Sequence, residues 1–232
     1  MPTGTFVIFD IIRFPDEPRT MKTEPRPPRG SRDEAADPVY TQIKFPRDSR
    51  VGPFRMATVT HRKPVRVEGY WHGNLVMEVI QHKQFHAYFD VDEKALISHV
   101  QKDIALAAVD ALNREFKEVF FLRELSLDFA RIIPQALNVI GSWFKGMRFT
   151  NVRTEAAFGS QINRDPEFQR LSGLGSHSNL IVVMNFASQT IKVNLSRDGS
   201  AFFMDDTPLS VCLDFMLHLR HYRLESPPAS NQ

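Results

Sequence analysis

Between Val39 and Val91 the chain carries five short stretches of alternating apolar and polar residues, with gaps that leave no room for a helix. They are Val39–Phe45, Phe54–His61, Pro64–Tyr70, Asn74–His82 and Phe85–Val91. Parallel neighbours need a crossover of a dozen or more residues, so strands joined this closely run antiparallel. The expected fold class is therefore α+β, mostly antiparallel sheet or sheets with about three covering helices.

The rest of the chain is read around that meander. Thr5–Phe14 is β-branched and aromatic, as a strand requires. Pro15–Pro38 is Pro, Arg, Glu and Asp with few apolar residues, too little to offset the entropy of ordering, and reads as a flexible loop. The period then changes. Asp92–Phe116 sets Ile97, Val100, Ile104, Ala108 and Ala111 on one helical face, with Asp92 as N-cap. Residues 119–129 alternate like a half-buried strand, and Arg131–Phe144 reads as a helix with Pro134 in its first turn. Met147–Ala156 and Asn179–Ala187 read as strands, and Gln189–Leu195 with Ser200–Asp205 as a hairpin turning at Asp198-Gly199. Pro208–Tyr222 reads as a last helix capped by Thr207. The expected division is an N-terminal sheet and long helix over 1–117, with the Pro/Arg-rich loop at 15–38. A C-terminal α+β part over 118–225 and a tail at 226–232 complete it.

Composition excludes more than it assigns. The 29 basic and 27 acidic residues leave a formal charge of +2, too little to demand nucleic acid or anionic lipid as a partner. Phenylalanine, with 19 residues against 4 Tyr and 2 Trp, forecasts an aromatic core. The lone cysteine, Cys212, has no internal disulfide partner. The apolar run Phe6–Ile12 contains Asp10 and lacks a basic region before it, unlike a signal peptide. No stretch approaches a membrane span. The expectation is a cytoplasmic protein without membrane contact.

Several residue groups bear on chemistry. His82 and His86, four apart with Asp90 beyond them, would share a face of an unbroken strand and suit a divalent metal, although Gln81–Gln84 also reads as a turn. Asp214, His218 and His221 lie on the last helix near Cys212, without the GxSxG elbow of a hydrolase. Asp205-Asp206 and a nuclease-like Glu115-Phe116-Lys117 are ordinary strand and helix ends. Ser172–Ser178 resembles an anion-cradling loop but lacks a full GxGxxG or a Walker lysine, and reads better as an inter-strand loop. A basic run, Arg50, Arg55, His61, Arg62, Lys63 and Arg66, crosses a predicted hairpin, and Lys145 and Arg148 alternate with aromatics after Trp143 and Phe144. Basic hairpins meet phosphates, and exposed aromatics stack on bases.

With no catalytic signature, no cofactor is expected. The leading expectation is a non-catalytic interaction or assembly subunit of a larger bacterial or viral complex, engaging a protein partner or its own copies. The Pro/Arg-rich loop would wrap the partner and exposed strand edges would accept it. The alternatives are a nucleic-acid-binding module using Arg55, Arg62, Lys63, Arg66, Lys145 and Arg148, and a metal-dependent hydrolase using His82, His86 and Asp90.

Overall fold

A computed structural model describes residues 4–27, 38–71, 74–146 and 154–224, with backbone alone over 66–71 and 74–78. Strands β1 (Thr5–Arg13), β2 (Met21–Lys22), β3 (Tyr40–Lys44), β4 (Arg50–Val51), β5 (Phe54–Trp71), β6 (Asn74–Asp90) and β7 (Ala95–His99) precede helix α1 (Lys102–Phe116). Then come β8 (Phe121–Glu124), the short α2 (Phe129–Ile132), β9 (Asn138–Lys145), β10 (Thr154–Phe158), α3 (Pro166–Leu174), β11 (Ser176–Phe186), β12 (Gln189–Ser196), β13 (Ser200–Phe203) and α4 (Leu209–His218). The registers described are antiparallel, as the short gaps required. The chain divides into two compact units, one formed by 11–123 and the other by 1–10 with 124–232. Strand β1 gives its first residues to the second of these and Ile11–Arg13 to the first.

In the unit 11–123 the strand order is β7-β6-β5-β3-β2, with β4 on β5. The last four stretches of the meander are two long strands, not four short ones. Arg62 pairs with His82, Lys63 with Gln81 and Pro64 with Ile80 without a break, so neither Pro64 nor Gln81–Gln84 is a turn. Proline survives there because β3 pairs with β5 only as far as Arg62, and edge positions tolerate a missing N–H. Rings from separate elements fill the core: Phe14 lies 5.5 Å from Phe45, 5.2 Å from Phe89 and 5.9 Å from Phe120. The helix expected from Asp92 begins only at Lys102. Ala95–Ile97 are buried in succession, which a strand covered on both faces achieves, and Gln101 occupies the N-cap. Of the proposed loop, Met21–Lys22 pairs with β3, and Arg26 and Val39 exchange both backbone hydrogen bonds (3.0 and 2.8 Å). Residues 28–37 lie outside the described residues.

In the unit 1–10 with 124–232 the order is β10-β9-β11-β12-β13-β1. Its core aromatics run from Phe6 through Phe203 and Phe215 to Phe186, at 5.5, 5.7 and 5.3 Å. The β12–β13 hairpin turns at Gly199, whose φ of +76° needs a residue without a Cβ; one placed there would stand 3.0 Å from Leu125. Asp10 is buried and takes the Arg220 guanidinium at 2.9 Å. The helix expected over Arg131–Phe144 is absent: α2 and a 3₁₀ turn end at Gln135, and Asn138–Lys145 is strand β9. Lying between β10 and β11, β9 buries Val139, Gly141, Ser142 and Phe144, so its sequence loses the alternation that marks a half-exposed strand. The strand expected over 119–129 shortens to β8. Helix α3, not foreseen, is set by Asp165 capping the Glu167 N–H (2.7 Å) and by Pro166 in the first turn. The last helix starts at Leu209; Pro208, not Thr207, holds the N-cap, without a side-chain bond. Residues 147–153 of one expected strand, and the tail, are outside the described residues.

Candidate functional site

Within the unit 11–123 a cleft of about 660 Å³ opens between one face of α1, the segment that follows β2 and the strands β3 and β5. Helix α1 buries Ile104, Ala105, Ala108, Val109 and Leu112. The adjacent helical face, Ala107, Asp110, Ala111, Arg114 and Glu115, lines the cleft, and its two alanines keep that wall low. At one end the Glu115 carboxylate accepts the Glu24 N–H at 2.7 Å; the Lys63 ammonium lies 3.8 Å from Asp103. Along the helix the lining runs from Ala107 to Glu115, eight steps or ~12 Å.

The strand wall holds a buried polar pair. Thr41 and His61 stand opposite each other on β3 and β5, 1% and 5% exposed. The threonine Oγ1 and the imidazole Nδ1 are 2.8 Å apart. The His61 Nε2 is buried without a hydrogen-bond partner. Burial first, and the nearby Lys63 charge second, push the His61 pKa down to about 4, so the ring is neutral at physiological pH. Thr23, brought in by the paired part of the Pro/Arg-rich segment, accepts the Thr41 N–H on its hydroxyl at 2.9 Å.

As a set, the residues singled out for nucleic acid do not converge, although Arg62 and Lys63 both line the cleft. Successive strand residues face opposite ways. His61 and Lys63 therefore share one face of β5, while Arg62 lies on the other, its guanidinium 5.6 Å from the Tyr40 ring opposite. Arg55, seven residues earlier, is ~23 Å from Arg62 along the strand and sits 6.0 Å from the Phe89 ring. Arg66 continues β5, but its side chain is outside the described residues. Lys145 ends β9 in the other unit, and Arg148 is outside the described residues.

Nor do the metal candidates. His82, His86 and Asp90 do lie on one unbroken strand, but steps of four residues separate them by ~13 Å each, beyond the reach of one ion. Asp90 instead accepts the Glu93 N–H at 3.0 Å and holds the turn into β7. His86 stands opposite His99, a pairing the sequence does not reveal. Among the described residues no group of three or more His, Cys, Asp or Glu is placed to hold a metal.

The remaining candidates are structural in their contacts. His218 meets the Tyr222 hydroxyl at 3.4 Å and the ring of His221 at 5.3 Å. Burial pushes the Cys212 thiol up to about 12, which leaves it protonated and unreactive. Ser172–Leu174, expected in a loop, belong to α3; the Ser172 hydroxyl donates to the Phe168 carbonyl at 2.8 Å and faces His177 Nε2 at 3.2 Å. The other His177 nitrogen lies 2.8 Å from the fully buried Ser142 hydroxyl. That network leaves no hydroxyl open to a substrate.

Among the described residues no helix is long and apolar enough to cross a membrane. No protein-family model matches the chain, and no curated protein matches it.

Proposed function

We propose that the chain is a non-catalytic interaction subunit that grips an extended segment of a protein partner in the cleft between α1, the segment that follows β2 and the strands β3 and β5. The observation that carries this reading is the cleft's form: a slot of ~12 Å along α1, bridged at one end by Glu115 and Glu24, suits three or four extended residues at ~3.3 Å each. Its wall is built partly from the Pro/Arg-rich segment, through Thr23, Glu24 and Arg26. Its charges are mixed, with Arg26, Arg62, Lys63 and Arg114 against Glu24, Asp110 and Glu115. A peptide can match both signs. A nucleic acid carries a phosphate at every step and would meet three carboxylates.

An array of immobilised hexapeptides, probed with the wild-type chain and with Ala111→Trp, tests this. The indole would fill the slot from a position outside the buried face of α1. Expected are retained peptides that Ala111→Trp releases at an unchanged thermal midpoint. Retention that Ala111→Trp leaves intact, or that a single-stranded oligonucleotide competes away, would overturn the reading.

A further inference from the structure

The hydrogen-bond arrangement around His61 fixes which of its nitrogens carries the proton. The Thr41 side chain is 1% exposed, and its hydroxyl has one hydrogen-bond partner, His61 Nδ1 at 2.8 Å. If Nδ1 carried the imidazole proton, it would donate to Thr41, and the hydroxyl proton would be stranded in the interior. Leaving a buried donor unmade costs about 1–3 kcal/mol. The arrangement that satisfies both groups has Thr41 donating to Nδ1, which places the ring proton on Nε2. His61 lines the slot, and that N–H is buried beside it without an acceptor. Buried donors are rarely left so in folded proteins.

From this geometry we infer that His61 is the recognition point of the slot, donating its Nε2–H to the carboxylate of one acidic side chain of the bound peptide. The inference rests on the reading of the slot as a peptide site. The neighbouring charges favour a carboxylate over a neutral carbonyl. Lys63 shares the His61 face of β5 and is close enough to oppose protonation of the ring. Arg26 and Arg114 line the same cleft. Hydrogen bonds to a charged acceptor are roughly twice as strong as neutral ones. The neutral ring keeps a single donor, so the site reads one acceptor at one position. The slot's own carboxylates are Glu24, on the segment leading from β2, and Asp110 and Glu115 along α1.

The test uses two probes: a capped alanine hexapeptide with one aspartate at its third position, and the same peptide with asparagine there. Each is titrated into ¹⁵N-labelled full-length protein while the imidazole ¹⁵N and slot amide resonances are followed by NMR. The aspartate peptide is expected to shift the His61 Nε2–H signal and to bind at least ten-fold more tightly than the asparagine peptide. His61→Phe should erase the ten-fold preference, whereas His61→Gln, which keeps an N–H donor, should retain most of it. Thr41→Val frees the ring to change tautomer and should reduce the preference without removing binding.

If both peptides move the slot amides with equal affinity, the slot still holds a peptide but the carboxylate assignment is wrong. If neither peptide moves them, both readings fall. If inorganic phosphate shifts Nε2–H at the concentration that suffices for the aspartate peptide, the site is a phosphate site and the assignment is overturned. A preference that persists in His61→Phe would also overturn it.

Discussion

His61 in one unit is buried and His177 in the other half-buried, and burial lowers both pKa values. They differ in how completely their surroundings answer them. His177 has a serine hydroxyl at each nitrogen, Ser142 at 2.8 Å and Ser172 at 3.2 Å. Each serine also reaches a backbone carbonyl, of Asn179 at 3.2 Å and Phe168 at 2.8 Å. The rings of Phe144, Phe168 and Phe129 lie around it at 4.7, 5.4 and 6.4 Å. His61 has one answered nitrogen and opens on a cleft. Burial and a shifted pKa therefore do not separate a histidine that holds a fold together from one that awaits a ligand. The count of satisfied nitrogens does.

That contrast is exposed to experiment. The largest effect should come from His177→Ala, which empties a space walled by three phenylalanines and strands two serine hydroxyls. A loss of about 3 kcal/mol in denaturant unfolding is expected. A loss below about 1 kcal/mol would mean the network is not a structural one. Acidification comes next. The folded pKa of His61 lies below its unfolded value of 6.5, so the unfolded chain binds the extra proton. Stability from this group is whole above pH 6.5, declines as pH falls, and levels off below about 4, with a loss on the order of 3 kcal/mol. Comparing His61→Gln with wild type across that window isolates the share of His61 from that of His177, which moves in the same direction. Identical pH profiles would contradict a neutral buried imidazole. The smallest effect should be that of His61→Gln at neutral pH, less than about 1 kcal/mol, because only one hydrogen bond is disturbed. A cost equal to that of His177→Ala would erase the distinction between the two sites.

The antiparallel meander was legible because its connections are short, and the β12–β13 turn because Asp198-Gly199 supplies the needed chemistry. Strand β9 was not, since a strand flanked on both sides and buried on both faces resembles a helix in composition. The basic run drew attention to β5 and included His61, yet residue type alone made His61 one more solvated cation. What distinguishes it is Thr41, twenty residues away in sequence and directly opposite in the sheet. Glu115 entered the sequence reading as half of a nuclease-like motif and instead closes one end of the cleft. Cross-strand partnership of this kind leaves no local mark. Register decides it.

The division of β1 between the two units carries a consequence for the order of assembly during synthesis. Residues 5–7 pair with 200–202, so that unit stays incomplete until nearly the whole chain has emerged. The unit 11–123 is compact within its own span and can form first. When it does, Arg13 reaches the Lys117 carbonyl at 2.7 Å, which brings the two ends of the span together. The long closure between the N-terminal strand and its late partner is then largely made in advance, at a lower entropic cost than an open chain would face. A ribosome stalled shortly after residue 123 has cleared the tunnel should therefore display a protease-resistant body with its first ten residues still open to cleavage.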